Sequence, residues 1–179
     1  MVEKGVKDSK LLSVKKRKDL FNHVINVAES ICVCRISIED IDFHVFRNNL
    51  NILEAEAMAV TIKNMKSDKT YIDSCDVNPS RYQRTIQTFL KRYKPNLVSM
   101  HHADRLNVVV SGASIIAKVI RDSEISKIRI QYGDVGSGYP SDKKTIKFVK
   151  DWFRQKNEIP PFARKSWKPA QMIVSSTVV

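Results

Sequence analysis

The chain has 179 residues, 42% of them hydrophobic and 28% charged, which suffices for one core of ordinary size and argues against a disordered protein. Lysine and arginine number 31 against 19 acidic residues, a net charge of +12 that favours a polyanionic partner, although a solvated basic surface has the same composition. No apolar run is long enough to span a bilayer and Met1–Lys10 has no apolar leader core, so the expectation is a cytoplasmic protein with no membrane partner.

In chain order, Ser13 is placed to cap a helix with Leu20, Phe21, Val24 and Val27 on one face, ending near Ser30. Ile31 to Ile38 alternates apolar and polar residues and reads as a strand. Cys32 and Cys34 lie within it and, with Cys75, read as buried reduced thiols rather than a zinc site. A helix is expected over about 51–66, followed by a strand at Thr70–Ile72. Asn78-Pro79 is a helix start, because proline at the first helical position gives up no hydrogen bond, and that helix runs to about Tyr93. Leu97–Met100 gives a third strand. A long helix then spans Ser111–Tyr132, and a last one, capped by Ser141, about 141–155. Strands separated by helices imply an α/β sheet with parallel crossovers, yet three strands are few for five helices. One domain over 1–179 is expected, with a helical C-terminal part over about 141–170.

Chemistry concentrates between Tyr71 and Asp142. Asp73 and Asp104 each follow a strand-like run, and open α/β sheets place ligands at strand ends, so the two aspartates can share a metal. Ordinary turn or cap aspartates fit the same pattern, as Asp76 before the Asn78 cap does. Gly136-Ser137-Gly138-Tyr139-Pro140 is a turn whose glycines admit close backbone approach and whose tyrosine can stack on a sugar or base, or pack into a core. His101 and His102 are adjacent on a strand and point to opposite faces, so they are assigned no ion. Lys118, Arg121, Lys127, Lys143, Lys144 and Lys147 can form a phosphate-facing surface or a merely solvated one.

Gly5-Val6-Lys7-Asp8-Ser9-Lys10, Tyr71-Ile72-Asp73, Ala103-Asp104, Ser111–Asp122, Gly136-Ser137-Gly138-Tyr139-Pro140-Ser141-Asp142 and Arg164-Lys165-Ser166-Trp167 together resemble ribonuclease HII of the archaeal and eukaryotic type. The resemblance implies a ribonuclease H-like α/β fold with a mixed central sheet flanked by helices. It also implies an endonuclease that uses Mg²⁺ or Mn²⁺ to hydrolyse the RNA strand of RNA/DNA hybrids and single ribonucleotides embedded in duplex DNA, as in ribonucleotide excision. Asp73 and Asp104 correspond to two of the family's four metal-binding carboxylates, Tyr139 to the tyrosine at the ribose of the RNA-to-DNA junction, and Lys10 to a lysine near the substrate phosphates; Lys118, from the basic face of the long helix, is the further substrate-binding candidate. The other two carboxylates belong to a D-E-A-G-R-G motif on the family's first strand, and no such motif occurs in this sequence. The expectation is therefore a sheet without its first two strands and a chain that, by itself, is inactive or impaired. The alternative is a non-catalytic nucleic-acid-binding remnant. A monomer is expected, and Ala170–Val179 shows no clear sliding-clamp motif.

Overall fold

A computed structural model describes the backbone of residues 14–176 and the side chains of residues 16–176, which divide into two compact units. The first comprises residues up to Arg35 together with Asn51–Ile120. The second comprises Ile36–Leu50 and Arg121–Val179.

In the first unit, helix α1 spans Val14–Val27. Ser13, its expected cap, lies outside the described residues, and the helix stops three residues short of Ser30. The run Ile31–Ile38 is not a strand. No neighbouring strand hydrogen-bonds to it among the described residues, and its last residue, Ile38, opens a helix instead. Alternation favours an extended backbone, but a strand also needs a paired neighbour. Ile31 and Val33 are 39% and 45% exposed and, with Val24, Met65 and Ile116, line an apolar groove of about 350 Å³. The cysteines are free, as expected, but not buried: Cys34 and Cys75 are exposed and Cys32 is intermediate.

Strand β1, Lys69–Asp73, pairs in parallel with β2, Asn96–Met100, in the register Lys69↔Asn96 to Asp73↔Met100. Helix α4, Pro79–Leu90, begins as expected, with the Asn78 side chain accepting from Arg81 N, and ends at Lys91 before reaching Tyr93. Tyr82, Ile86 and Leu90 recur every four residues on one face of α4 and are buried. They pack with Ile72 and Leu97 of the strands and with Ala55, Ala59 and Ile62 of helix α3, Leu50–Met65. Two alanines one turn apart let that helix approach closely. Burial of each large aliphatic side chain here contributes about 1.5–3 kcal/mol. After β2 comes a single turn of helix, α5, Ala103–Leu106, and then α6, Val108–Tyr132, which starts earlier than its apolar pattern indicated.

The second unit holds α2, Ile38–Phe46, the end of α6, α7 at Lys143–Lys156 and α8 at Lys168–Ser175. The cap of α7 is Asp142, not Ser141: its carboxylate accepts from Lys144 N at 3.0 Å. Val149 and Phe153 of α7 bury against Ile159, Ala163, Ala170 and Ile173. Nearby, the rings of Tyr132 and Phe162 lie 4.6 Å apart, and Trp152 meets Tyr132 edge-on. Among the described residues no helix is long and apolar enough to cross a membrane.

Candidate metal and nucleic-acid site

Parallel pairing brings the C-terminal ends of β1 and β2 side by side, with Asp73 opposite Met100. Ser74 N donates to Met100 O at 2.9 Å, so the pairing holds to the last residue of each strand. The chain then reverses through His102, which adopts the left-handed conformation at φ 55° and ψ 34°. This reversal points Ala103 N back at the sheet, where it donates to Asp73 Oδ1 at 3.1 Å. Asp73 is exposed at the rim, while Asp104, the next residue after Ala103, is only 8% exposed. The two sequence-predicted aspartates thus share one backbone-tethered corner, although Asp104 sits in the first turn of α5 rather than at a strand end.

Hard carboxylate oxygens suit a divalent cation such as Mg²⁺, so the donor chemistry fits. The set is incomplete: among the described residues no group of three or more His, Cys, Asp or Glu gathers around one point. Asp76 does not contribute. Its carboxylate accepts from Asn78 N at 2.8 Å and Arg81 Nε at 3.1 Å, and the Arg81 contact above all holds it below the usual carboxylate range. His101 and His102 are both exposed, and His101 Nε2 lies 3.3 Å from Val77 O. Lys118 is half-buried on the first-unit portion of α6, and Lys10 lies outside the described residues.

In the second unit the glycine turn is built as a cradle. Asp142 accepts from Ser137 N at 2.6 Å as well as from Lys144 N, and Thr145 Oγ1 accepts from Gly138 N at 3.0 Å while donating to Val135 O at 3.0 Å. The Ser137 hydrogen bonds, more than those of Lys144 and Thr145, hold the Asp142 carboxyl far below its ordinary range. Gly136 has φ +70°, and a Cβ there would meet Asp142 Oδ2, Thr145 N and Thr145 Oγ1, each at 2.6 Å. Tyr139 is 44% exposed on this turn, so it is not a core residue. The Arg121 guanidinium sits over its ring, with Cζ 3.8 Å from the ring centroid. The sequence had placed Arg121 only on a basic surface. A second unforeseen element is Asp42, 8% exposed, which accepts from the backbone of Lys165 at 2.8 Å and Ser166 at 3.0 Å and so fixes the Arg164–Trp167 segment.

Residues 1–170 match the family model described as Ribonuclease HII. The chain belongs to the ribonuclease HII family. It is 43% identical over 169 residues to the ribonuclease HII of Cenarchaeum symbiosum, covering 94% of this chain and 80% of that one. Against the ribonuclease HII of Pyrococcus furiosus it is 40% identical over 174 residues, covering 96% and 76%. Its structure matches that of the ribonuclease H2 from Pyrococcus horikoshii with a TM-score of 0.87 and 38% identity, covering 98% of this chain and 82% of that one. It also matches a chain in the PCNA:RNase HII complex from Archaeoglobus fulgidus with a TM-score of 0.82 and 34% identity, covering 96% and 82%. The expected ribonuclease H-like α/β fold is borne out, and the family is one of nucleases, hydrolases that cut phosphodiester bonds.

Proposed function

We propose that this chain supplies the catalytic framework of an endonuclease acting on RNA/DNA hybrids and on single ribonucleotides within duplex DNA. The observation that carries this reading is the corner where Asp73, at the end of β1, accepts from the amide of Ala103, the residue before Asp104 in the first turn of α5. Asp73 and Asp104 would hold Mg²⁺ or Mn²⁺ as part of a larger carboxylate set, and the bound ions supply an activated water and charge stabilisation at the leaving oxygen. That set calls for two further carboxylates, of the D-E-A-G-R-G kind, which this sequence does not contain. Asp73 is held in orientation by a backbone N–H rather than by a mobile side chain, which reduces the ordering cost of ligation. The net charge of +12 draws the duplex in through its phosphates. Tyr139, exposed on its cradle, meets the ribose, and Lys118 and Lys10 meet phosphates.

The test is cleavage of a duplex containing one ribonucleotide in Mg²⁺ or Mn²⁺, by the 179-residue chain and by a form extended through the upstream reading frame. Asp73→Asn and Asp104→Asn are expected to lower turnover about 100-fold or more, the scale at which one preorganised electrostatic contact acts. Duplex binding should be little changed. Wild-type-like turnover in either variant of an active form refutes the assignment.

A further inference from the structure

Arg121 is bound in a way that a merely solvated surface arginine is not. Its Nη2 donates to Ser137 O at 2.9 Å and its Nη1 contacts Asp122 Oδ1 at 3.2 Å, so two corners of the planar group are fixed. Its Cζ then lies over the Tyr139 ring, 3.8 Å from the centroid. The turn is shaped to admit it: a Cβ on Gly138 would come within 3.0 Å of Arg121 Nη2 and 2.6 Å of Ile125 Cδ1. Tyr139 as a residue keeps 44% of its surface exposed.

We propose that Arg121 is the positioning residue of Tyr139, a guanidinium plate that fixes the ring plane before a nucleic acid arrives. This rests on the reading of Tyr139 as the residue that meets the ribose. An aromatic ring that stacks on a sugar must otherwise give up its χ freedom on binding. A plate on one face removes that cost in advance and leaves the opposite face for the ligand. The plate must be planar and fixed at two corners, which lysine, a point charge on a flexible stem, cannot reproduce. Arg121 also brings a positive charge up to the ring, the sign that a nucleic acid's phosphates attract. Arg121 therefore sets the preference for an embedded ribonucleotide rather than the chemical step.

The experiment measures binding, so it does not depend on turnover. Fluorescence anisotropy, in EDTA and again in Ca²⁺, compares a DNA duplex holding one ribonucleotide with the all-DNA duplex of the same sequence. The proteins are the wild-type chain, Tyr139→Ala, Arg121→Lys, Arg121→Gln and the double variant Arg121→Gln/Tyr139→Ala, with thermal melting checking that each is folded. Arg121→Lys and Arg121→Gln are expected to lower the preference about three- to tenfold, and Arg121→Gln is expected to add nothing once Tyr139 is alanine. If Tyr139→Ala removes the preference while both arginine variants retain it, the positioning role of Arg121 is wrong and the reading of Tyr139 stands. If Tyr139→Ala leaves the preference intact, or the wild-type chain shows none, the reading of Tyr139 fails and the inference falls with it. An equal loss on both duplexes in the arginine variants also overturns it, because it marks Arg121 as a general phosphate contact.

Discussion

Gly136→Ala and Gly133→Ala form a matched pair that isolates the cradle beneath Tyr139. Both glycines have positive φ, +70° and +88°, so alanine at either pays the same kind of backbone strain, about 1–2 kcal/mol. Their surroundings differ. A Cβ on Gly133 meets nothing within 4 Å, whereas one on Gly136 meets Asp142 Oδ2, Thr145 N and Thr145 Oγ1 at 2.6 Å. Thr145 N is backbone and cannot step aside, and Thr145 is 4% exposed with its hydroxyl bonded to Gly138 N and Val135 O. Displacing it forfeits two hydrogen bonds at about 1 kcal/mol each, so Gly136→Ala should cost roughly 3–4 kcal/mol against about 1–2 for Gly133→Ala. For a chain of this size that is a fall in Tm of about 6–16 °C against about 2–8 °C. Thermal unfolding by circular dichroism, repeated in guanidinium chloride, reads the difference. Equal losses in the two variants would refute the cradle as a packed, strain-bearing unit.

Three further outcomes follow from individual contacts. His102 holds a left-handed conformation, so His102→Val should destabilise the chain by about 1–2 kcal/mol while His102→Gly is neutral or stabilising, as read by chemical denaturation; the reverse order would show that the histidine side chain, not its backbone, matters. Asp42→Ala leaves the Lys165 and Ser166 amides without their acceptor and should cost about 1–3 kcal/mol, with Asp42→Asn intermediate. The Asp142 carboxyl is held far below its ordinary range by the Ser137 amide, so its contribution to stability is fully present above the ordinary carboxylate value and is lost as pH falls toward the depressed one. Asp142→Asn should accordingly be less stable than wild type at pH 7, with the gap narrowing in strong acid; a gap that does not change with pH would contradict the shift.

What could be read from the sequence was what local chemistry decides. Asn78-Pro79 announced α4 because cap and proline act within a few residues, and the aspartates at 73 and 104 were visible because short strands leave their ends nearby. The Ile31–Ile38 run misled for the opposite reason: alternation is a local property and pairing is not. Reading that run through to Ile38 also hid α2, although Ser37 was a legible cap, its hydroxyl accepting from Asp40 N at 3.0 Å. The break at His102 escaped notice because a histidine gives no glycine-like signal for positive φ. Arg121 against Tyr139 and Asp42 against Lys165 were invisible in principle. No period or motif couples residues that only the folded backbone brings together, and the Asp42 contact joins positions 123 apart.

Asp73 does two things at once, and substitution can separate them. Its Oδ1 accepts from Ala103 N, which fastens the start of α5 to the end of β1. Its negative charge serves the proposed metal. Asparagine keeps an oxygen acceptor of the same reach and removes the charge, whereas alanine removes both. If Asp73 were only a turn residue, Asp73→Asn would be close to silent in stability and in activity alike. If it is a ligand, Asp73→Asn keeps nearly the wild-type Tm yet loses turnover, and Asp73→Ala loses turnover and about 1 kcal/mol of stability besides. The signature is therefore a split between two measurements on one variant: intact melting with lost cleavage in Asp73→Asn. The same split should appear in metal dependence, because a site short of one carboxylate needs more Mn²⁺ for any residual cleavage, while the Tm of a structural variant would not respond to the ion. A fall in Tm for Asp73→Asn as large as that for Asp73→Ala would place the residue's role in the fold instead.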